Sequence, residues 1–160
     1  MKKIALFSKV SESEFLKNGT KEEYDAIVLP KRATKGSAGY DFFVNKSVTL
    51  KPDESVKIAT GVRVKIDEGW VLKIYPRSSL GFKYRLTLNN TVGIIDSDYY
   101  YAENEGHIFI KLTNCGDKDL FLEKGKAFAQ GVFVEYGITY NDECERQRTG
   151  GIGSTDTRDF

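Results

Sequence analysis

The chain has 160 residues, 40% of them hydrophobic and 29% charged, which suits one soluble domain with a real core and excludes a disordered or collagenous chain. Its 24 basic and 23 acidic side chains are mixed along the sequence and leave a formal charge of +1, which argues against a broad nucleic-acid face. No apolar run exceeds a few residues, so neither a membrane span nor a signal-peptide core is expected, and the chain reads as a cytoplasmic protein.

In chain order, the first expected element is a helix. Ser11 followed by Glu14 has capping-box spacing, and Phe15, Leu16 and then Gly19 predict about two turns ending at a glycine cap. Helical periodicity then fades. Val48 and Leu50, Val56 and Ile58, and Val62, Val64 and Ile66 alternate with polar residues at the period of two that half-buried strands require. Trp70 to Tyr75, Ile108 to Leu112, Leu120 to Leu122 and Phe128 to Val134 continue the series, with Pro52, Gly61, Gly69, Gly93, Gly116 and Gly125 as turn punctuation. The fold expected is all-β, a jelly-roll-like barrel or sandwich with one short N-terminal helix. Residues 1–30 read as an N-terminal extension, 31–141 as the β core and 142–160 as a glycine-rich C-terminal arm.

The rare residues narrow the chemistry. His107 is the one histidine, so a histidine-rich zinc site is excluded within one chain, and a Ser-His-Asp triad would have to be built on it. Cys115 and Cys144 form no CxxC pair and read as free thiols in a reducing compartment.

Five polar, glycine-flanked clusters lie between the strands. The first, Ala33 to Asp41, runs small residues into a lone acid and by itself reads as a turn. Pro76-Arg77-Ser78-Ser79-Leu80-Gly81 sets a guanidinium beside two hydroxyls, the donors that phosphate oxygens need, though a capped turn would look the same. Asn90 to Tyr99 places an amide at one end of an apolar strand and Asp96, Asp98 and Tyr99 at the other, where base recognition, proton abstraction and ring stacking could meet; its plainer reading is a strand entering an Asx turn. Gly125 to Gly131 puts Gln130 in the middle of a buried strand, either a ligand group or a satisfied core amide. Arg148 to Thr155 is rich in glycine and hydroxyls, an anion cradle or a frayed tail, and it lacks the lysine and spacing of a P-loop.

In their order, the five clusters make the sequence resemble the trimeric dUTP diphosphatases from residue 33 to residue 155; Pro-Arg-Ser-Ser-Leu, Gly-Ile-Ile-Asp-Ser-Asp-Tyr and Gly-Gly-Ile-Gly-Ser-Thr carry the match. The resemblance implies a jelly roll that hydrolyses dUTP to dUMP and pyrophosphate with Mg²⁺, water attacking the α-phosphorus. Asp96 would be the base and would hold the sugar 3′-hydroxyl. Asn90, with backbone groups of its strand such as those of Gly93 and Ile95, would read the uracil edge, and Tyr99 would lie against the deoxyribose. Arg77, Ser78, Ser79 and Gln130 would bind phosphates, and Asp41 would organise the hydrated magnesium without ligating it. A mobile arm would bring Arg148, Gly153, Ser154 and Thr155 over the nucleotide. The resemblance also implies a homotrimer, with the first, second and fourth clusters of a site from one subunit, the third from another and the fifth from the last.

Three departures stand out. Ile152 occupies the place of the aromatic lid that usually stacks on the base, at a loss of about 0.5–1.5 kcal/mol of ring-on-ring attraction. Gln147 stands where the arm arginine is common, flanked by Arg146 and Arg148, of which Arg148 is taken as the phosphate ligand. The stretch Tyr100 to Gly106 is longer than in many relatives, and reads as a tolerated loop insertion or a contact at the trimer rim. A dCTP deaminase of the same fold would carry a catalytic glutamate in the third cluster, where this chain has Asp-Ser-Asp-Tyr. A module that only binds another protein would not need Asp96, Tyr99 and the arm together, although a regulatory role added to the enzyme fits the same residues.

Overall fold

In the computed structural model, which describes residues 1–145, 148, 150 and 151, antiparallel strands dominate. They are β1 (Ala5–Lys9), β2 (Lys31–Arg32), β3 (Tyr40–Phe43), β4 (Val48–Leu50), β5 (Ser55–Ala59), β6 (Val62–Ile66), β7 (Trp70–Pro76), β8 (Leu86–Leu88), β9 (Gly93–Ile95), β10 (Phe109–Asn114), β11 (Leu120–Leu122) and β12 (Ala127–Glu135). Three short helices, α1 (Glu12–Phe15), α2 (Lys21–Asp25) and α3 (Ser78–Tyr84), and a 3-10 turn at Ser97–Tyr101 complete the described elements. The largest sheet has the order β2-β3-β12-β7-β9; the others are β5-β10-β8, β4-β11 and β1-β6.

The period of two seen in the sequence is what the core uses. In β6 Val62, Val64 and Ile66 are buried while Lys65 is exposed and Arg63 only half-buried. Phe42, Leu72, Ile74, Phe128, Ile110 and Leu112 join them in one cluster that spans the sheets, as a jelly-roll-like sandwich requires. Gly131 in β12 sits where the sheets close tightly: a Cβ there would lie 2.7 Å from Leu72 Cδ1.

The N-terminal residues do more than the expected single helix. β1 pairs along β6 from Ala5↔Ile66 to Lys9↔Val62, and Val10, Phe15 and Ile27 are buried in the common core. β1 escapes the pattern because it lies at the surface, with Ala5 and Leu6 exposed. α1 is a single turn. Ser11 Oγ accepts from Glu14 N as expected, but the helix ends at Leu16 in right-handed geometry, and Gly19 serves packing: a Cβ there would be 2.5 Å from the Phe15 ring. The reciprocal half of the capping box is missing, since the Ser11 N–H is taken by Glu105 Oε2 at 2.7 Å. A complete capping box does occur in α2, between Thr20 and Glu23. α3 is hidden in the sequence because Leu80, Phe82 and Tyr84 alternate as in a strand around Gly81.

Candidate functional site

Two groups of polar residues form, and the sheet order makes both. β12 lies between β3 and β7, so Gln130 stands opposite Asp41 on one side and Tyr75 on the other. That register brings the first, second and fourth clusters together across long stretches of chain. Arg77 Nη1 bonds Asp41 Oδ2 at 3.2 Å, and Gln130 Nε2 donates to the Pro76 carbonyl at 3.3 Å. Gly39 packs so closely that an added Cβ would be 2.6 Å from Gln130 Oε1. Ser78 and Ser79 open α3 with their side chains exposed beside Arg77. This face offers a guanidinium, an amide and two hydroxyls to solvent, a set suited to phosphate oxygens.

The second group surrounds a cleft of about 230 Å³. β9 forms one wall. Among the described residues it is an edge strand paired only to β7 (Leu72↔Ile95, Ile74↔Gly93), where its outer backbone N–H and C=O groups have no strand partner and can meet the edge of a planar ring. Gly93 packs closely against β7, where a Cβ would lie 3.1 Å from Ile74 Cβ. Ile74, Leu88, Ile108 and Ile110 make the cleft apolar, while Asn90, Asp96, Tyr99 and Arg148 line it with polar groups. Arg77, Ser78, Ser79, Gln130 and Asp41 do not line it.

Asp96 immediately precedes the 3-10 turn at the cleft mouth, its side chain 47% exposed and so open to water and to a ligand. Arg148 reaches across from the arm, its Nη2 2.8 Å from Asp96 Oδ2 and its Nε 3.0 Å from Asp98 Oδ1. Asp98 is therefore a participant to which the sequence assigned no role. Tyr99 is nearly buried, its ring at the cleft and its hydroxyl donating to the His107 carbonyl at 2.7 Å and accepting from Asn104 Nδ2 at 2.9 Å. Burial raises the Tyr99 phenol above its ordinary range, with the Asn104 bond opposing. His107 is fully buried with its pKa pushed down to about 4 by that burial; it is a neutral acceptor, taking the Gly61 N–H at Nε2. It belongs to the scaffold. Sequence reasoning missed Asn104, whose only signal was its place in the long loop after the third cluster. Ile152, Gly153, Ser154 and Thr155 lie outside the described residues, as do Arg146 and Gln147.

An apolar, edge-walled cleft lined by a carboxylate, on a chain that also carries a separate guanidinium and hydroxyl face, marks a β protein built to take a small ligand with both apolar and anionic parts. Comparison with known proteins narrows the class. The family model described as dUTPase matches residues 25–156. A deoxyuridine 5'-triphosphate nucleotidohydrolase of Lactococcus lactis subsp. lactis is 42% identical over 139 residues, spanning 85% of this chain and 93% of that protein. The protein of the same name from Paraburkholderia phytofirmans is 38% identical over 135 residues, 79% of this chain and 88% of its own length. The crystal structure of dUTPase from Streptococcus mutans superposes with a TM-score of 0.66 at 36% identity, covering 83% of this chain and 97% of that one. The dUTPase from phage phi11 of S. aureus shares the fold, with a TM-score of 0.67 at 23% identity over 90% of this chain and 97% of that one. The chain belongs to the dUTPase family.

Proposed function

We propose that the protein hydrolyses dUTP to dUMP and pyrophosphate by attack of water on the α-phosphorus, with Asp96 as the base. The observation that carries this reading is the half-exposed Asp96 carboxylate at the mouth of a cleft walled by the free edge of β9 and by Tyr99. Asn90 and the outer backbone groups of β9 read the uracil, and the Tyr99 ring fills the space that a ribose 2′-hydroxyl would need. Asp96 orients and deprotonates the water and holds the 3′-hydroxyl. One carboxylate suffices, because displacement at phosphorus depends mainly on positioning and electrostatic stabilisation.

The phosphates need the other face. Arg77, Ser78, Ser79 and Gln130 supply cationic and neutral donors, and the arm adds Arg148, Gly153, Ser154 and Thr155. Since these first four residues do not line their own chain's cleft, a homotrimer in which neighbours complete each site is part of the proposal. Leu6, Phe82 and Phe121, exposed by 67%, 90% and 62% in the single chain, support such assembly.

The donor set also suits Mg²⁺. Among the described residues no three His, Cys, Asp or Glu side chains gather to cage a metal, and Asp41 is already paired to Arg77. The proposal is a cation carried chiefly by triphosphate oxygens and water, with Asp41 reached through water. When bound it would neutralise charge on the phosphate oxygens.

The test is pyrophosphate release from dUTP and from the four common deoxynucleoside triphosphates, with and without Mg²⁺. Selective, Mg²⁺-dependent release from dUTP is expected; equal turnover of dCTP or dTTP would overturn the reading.

A further inference from the structure

The stretch Tyr100 to Gly106 is built into the molecule at both ends. Glu105 accepts from the Ser11 N–H at 2.7 Å and from Ser11 Oγ at 2.6 Å, tying the loop to the start of α1. Those two bonds hold the Glu105 carboxyl below its ordinary range. The Arg63 guanidinium of β6 lies over the Tyr100 ring, its Cζ 3.6 Å from the centroid, and donates to the Tyr100 carbonyl at 2.6 Å. The loop returns through Gly106 at φ +71°, where a Cβ would lie 2.7 Å from the Tyr99 carbonyl oxygen, so only glycine permits the close approach. A merely tolerated insertion needs none of these anchors.

What the anchors hold is Asn104. Its Oδ1 accepts from Gly106 N at 3.2 Å, which fixes the amide plane, and its Nδ2 then points at Tyr99 Oη, 2.9 Å away. Tyr99 Oη is thereby gripped on both sides, as a donor to the His107 carbonyl and as an acceptor from Asn104. The loop also faces the arm: a Cβ on Gly151 would lie 3.2 Å from Asn104 Nδ2. The contact therefore stands behind Tyr99, which lines the cleft, and beside the arm.

We infer that Asn104 is a positioning residue, which sets the tilt of the Tyr99 ring and so the fit of the sugar beneath it. This rests on the reading of Tyr99 as the deoxyribose platform. The physical reason is that a phenol anchored by one hydrogen bond can still swing about it, whereas two bonds from opposite sides leave one orientation. Sugar selection by exclusion needs that rigidity, because a ring that can yield makes room for a 2′-hydroxyl.

The test has two arms. In the first, kinetics with dUTP and UTP are measured for the full chain and for Asn104→Ala, Tyr99→Phe and the double variant. Asn104→Ala should raise KM for dUTP by about 5-fold with kcat changed less, and narrow the preference over UTP by a similar factor. In the Tyr99→Phe background, which has no hydroxyl to hold, the same change should add nothing. Additive losses, or unchanged discrimination, would overturn the assignment.

The second arm needs no turnover. The Tyr99 phenol is titrated by NMR of ring-labelled tyrosine, with its resonance identified from Tyr99→Phe. Loss of the Asn104 bond should move the midpoint up, both in Asn104→Ala and in the near-isosteric Asn104→Leu, which has no N–H and adds no charge. Other groups near the hydroxyl, Arg148 and Glu14, are unaltered in these variants. An unmoved midpoint would overturn the proposal. If the unsubstituted chain failed to hydrolyse dUTP, the functional reading would fall, and this arm would still decide the role of Asn104.

Discussion

At the residue scale, a single carboxylate is asked to do the proton chemistry. Asp96→Asn keeps size and hydrogen bonding but removes the base, so kcat for dUTP should fall by about 10²–10⁴ while nucleotide binding, read by calorimetry, survives. Near-normal turnover would remove Asp96 from that role. The other informative residue is structural. His107 is buried and neutral, with a folded-state pKa of about 4 against 6.5 for a free histidine. Between these values the unfolded chain binds the proton and the folded chain does not, so stability is lost as pH falls through that window, by on the order of 3 kcal/mol in all. Urea unfolding midpoints measured from pH 7 to pH 4 should show this decline. His107→Gln, which keeps an acceptor for the Gly61 N–H but cannot titrate, should flatten it relative to the parent; an identical slope in both proteins would assign the decline to carboxylates instead.

At the scale of elements, the division between sheet and arm is sharp. β12 ends at Glu135 and the chain from Tyr136 to Glu145 is exposed throughout, so it adds little to the core. A chain ended after Asn141 should keep its far-ultraviolet circular dichroism and its melting transition, because every strand among the described residues precedes the cut. It should nevertheless lose most activity, since Arg148, 2.8 Å from Asp96, goes with it. A truncated chain as fast as the full one would show that the arm takes no part. Within the sheet, Gly131→Ala forces a methyl against Leu72 and Phe42, with contacts of 2.7 and 3.1 Å before relaxation. Such overpacking costs about 1–3 kcal/mol, which a lowered urea midpoint would record. The helices at the N-terminus belong to the same account: Phe15 and Ile27 are core residues, so that segment is part of the domain and not an appendage.

For the whole molecule, the two groups of polar residues are separate, one around Asp41, Arg77 and Gln130 and the other around Asp96 and Tyr99. If neighbouring copies complete each other, two inactive variants should rescue one another. Arg77→Ala and Asp96→Asn chains unfolded, mixed equally and refolded together should regain activity at about a quarter of the native sites, the chance that each half is drawn from the intact chain. Separately refolded controls should stay inactive. No recovery in the mixture would place both halves of a site on one chain.

The sequence by itself determined most of the strands and the chemical vocabulary of the site. The period of two survives in any sheet that buries one face, so Val62, Val64 and Ile66 announced their strand without knowledge of its partners, and the five clusters carried the resemblance because residue type and order are properties of the chain alone. Other features were decided only by tertiary structure. That Gln130 faces Asp41 depends on β12 entering between β3 and β7, and that Ser11 is held by Glu105 depends on two segments 94 residues apart meeting. Asn104 carried no pattern of its own. A hydrogen bond to a phenol needs one donor in one place, and neither periodicity nor spacing records where a loop will set it down; the anchors at Ser11, Arg63 and Gly106 do.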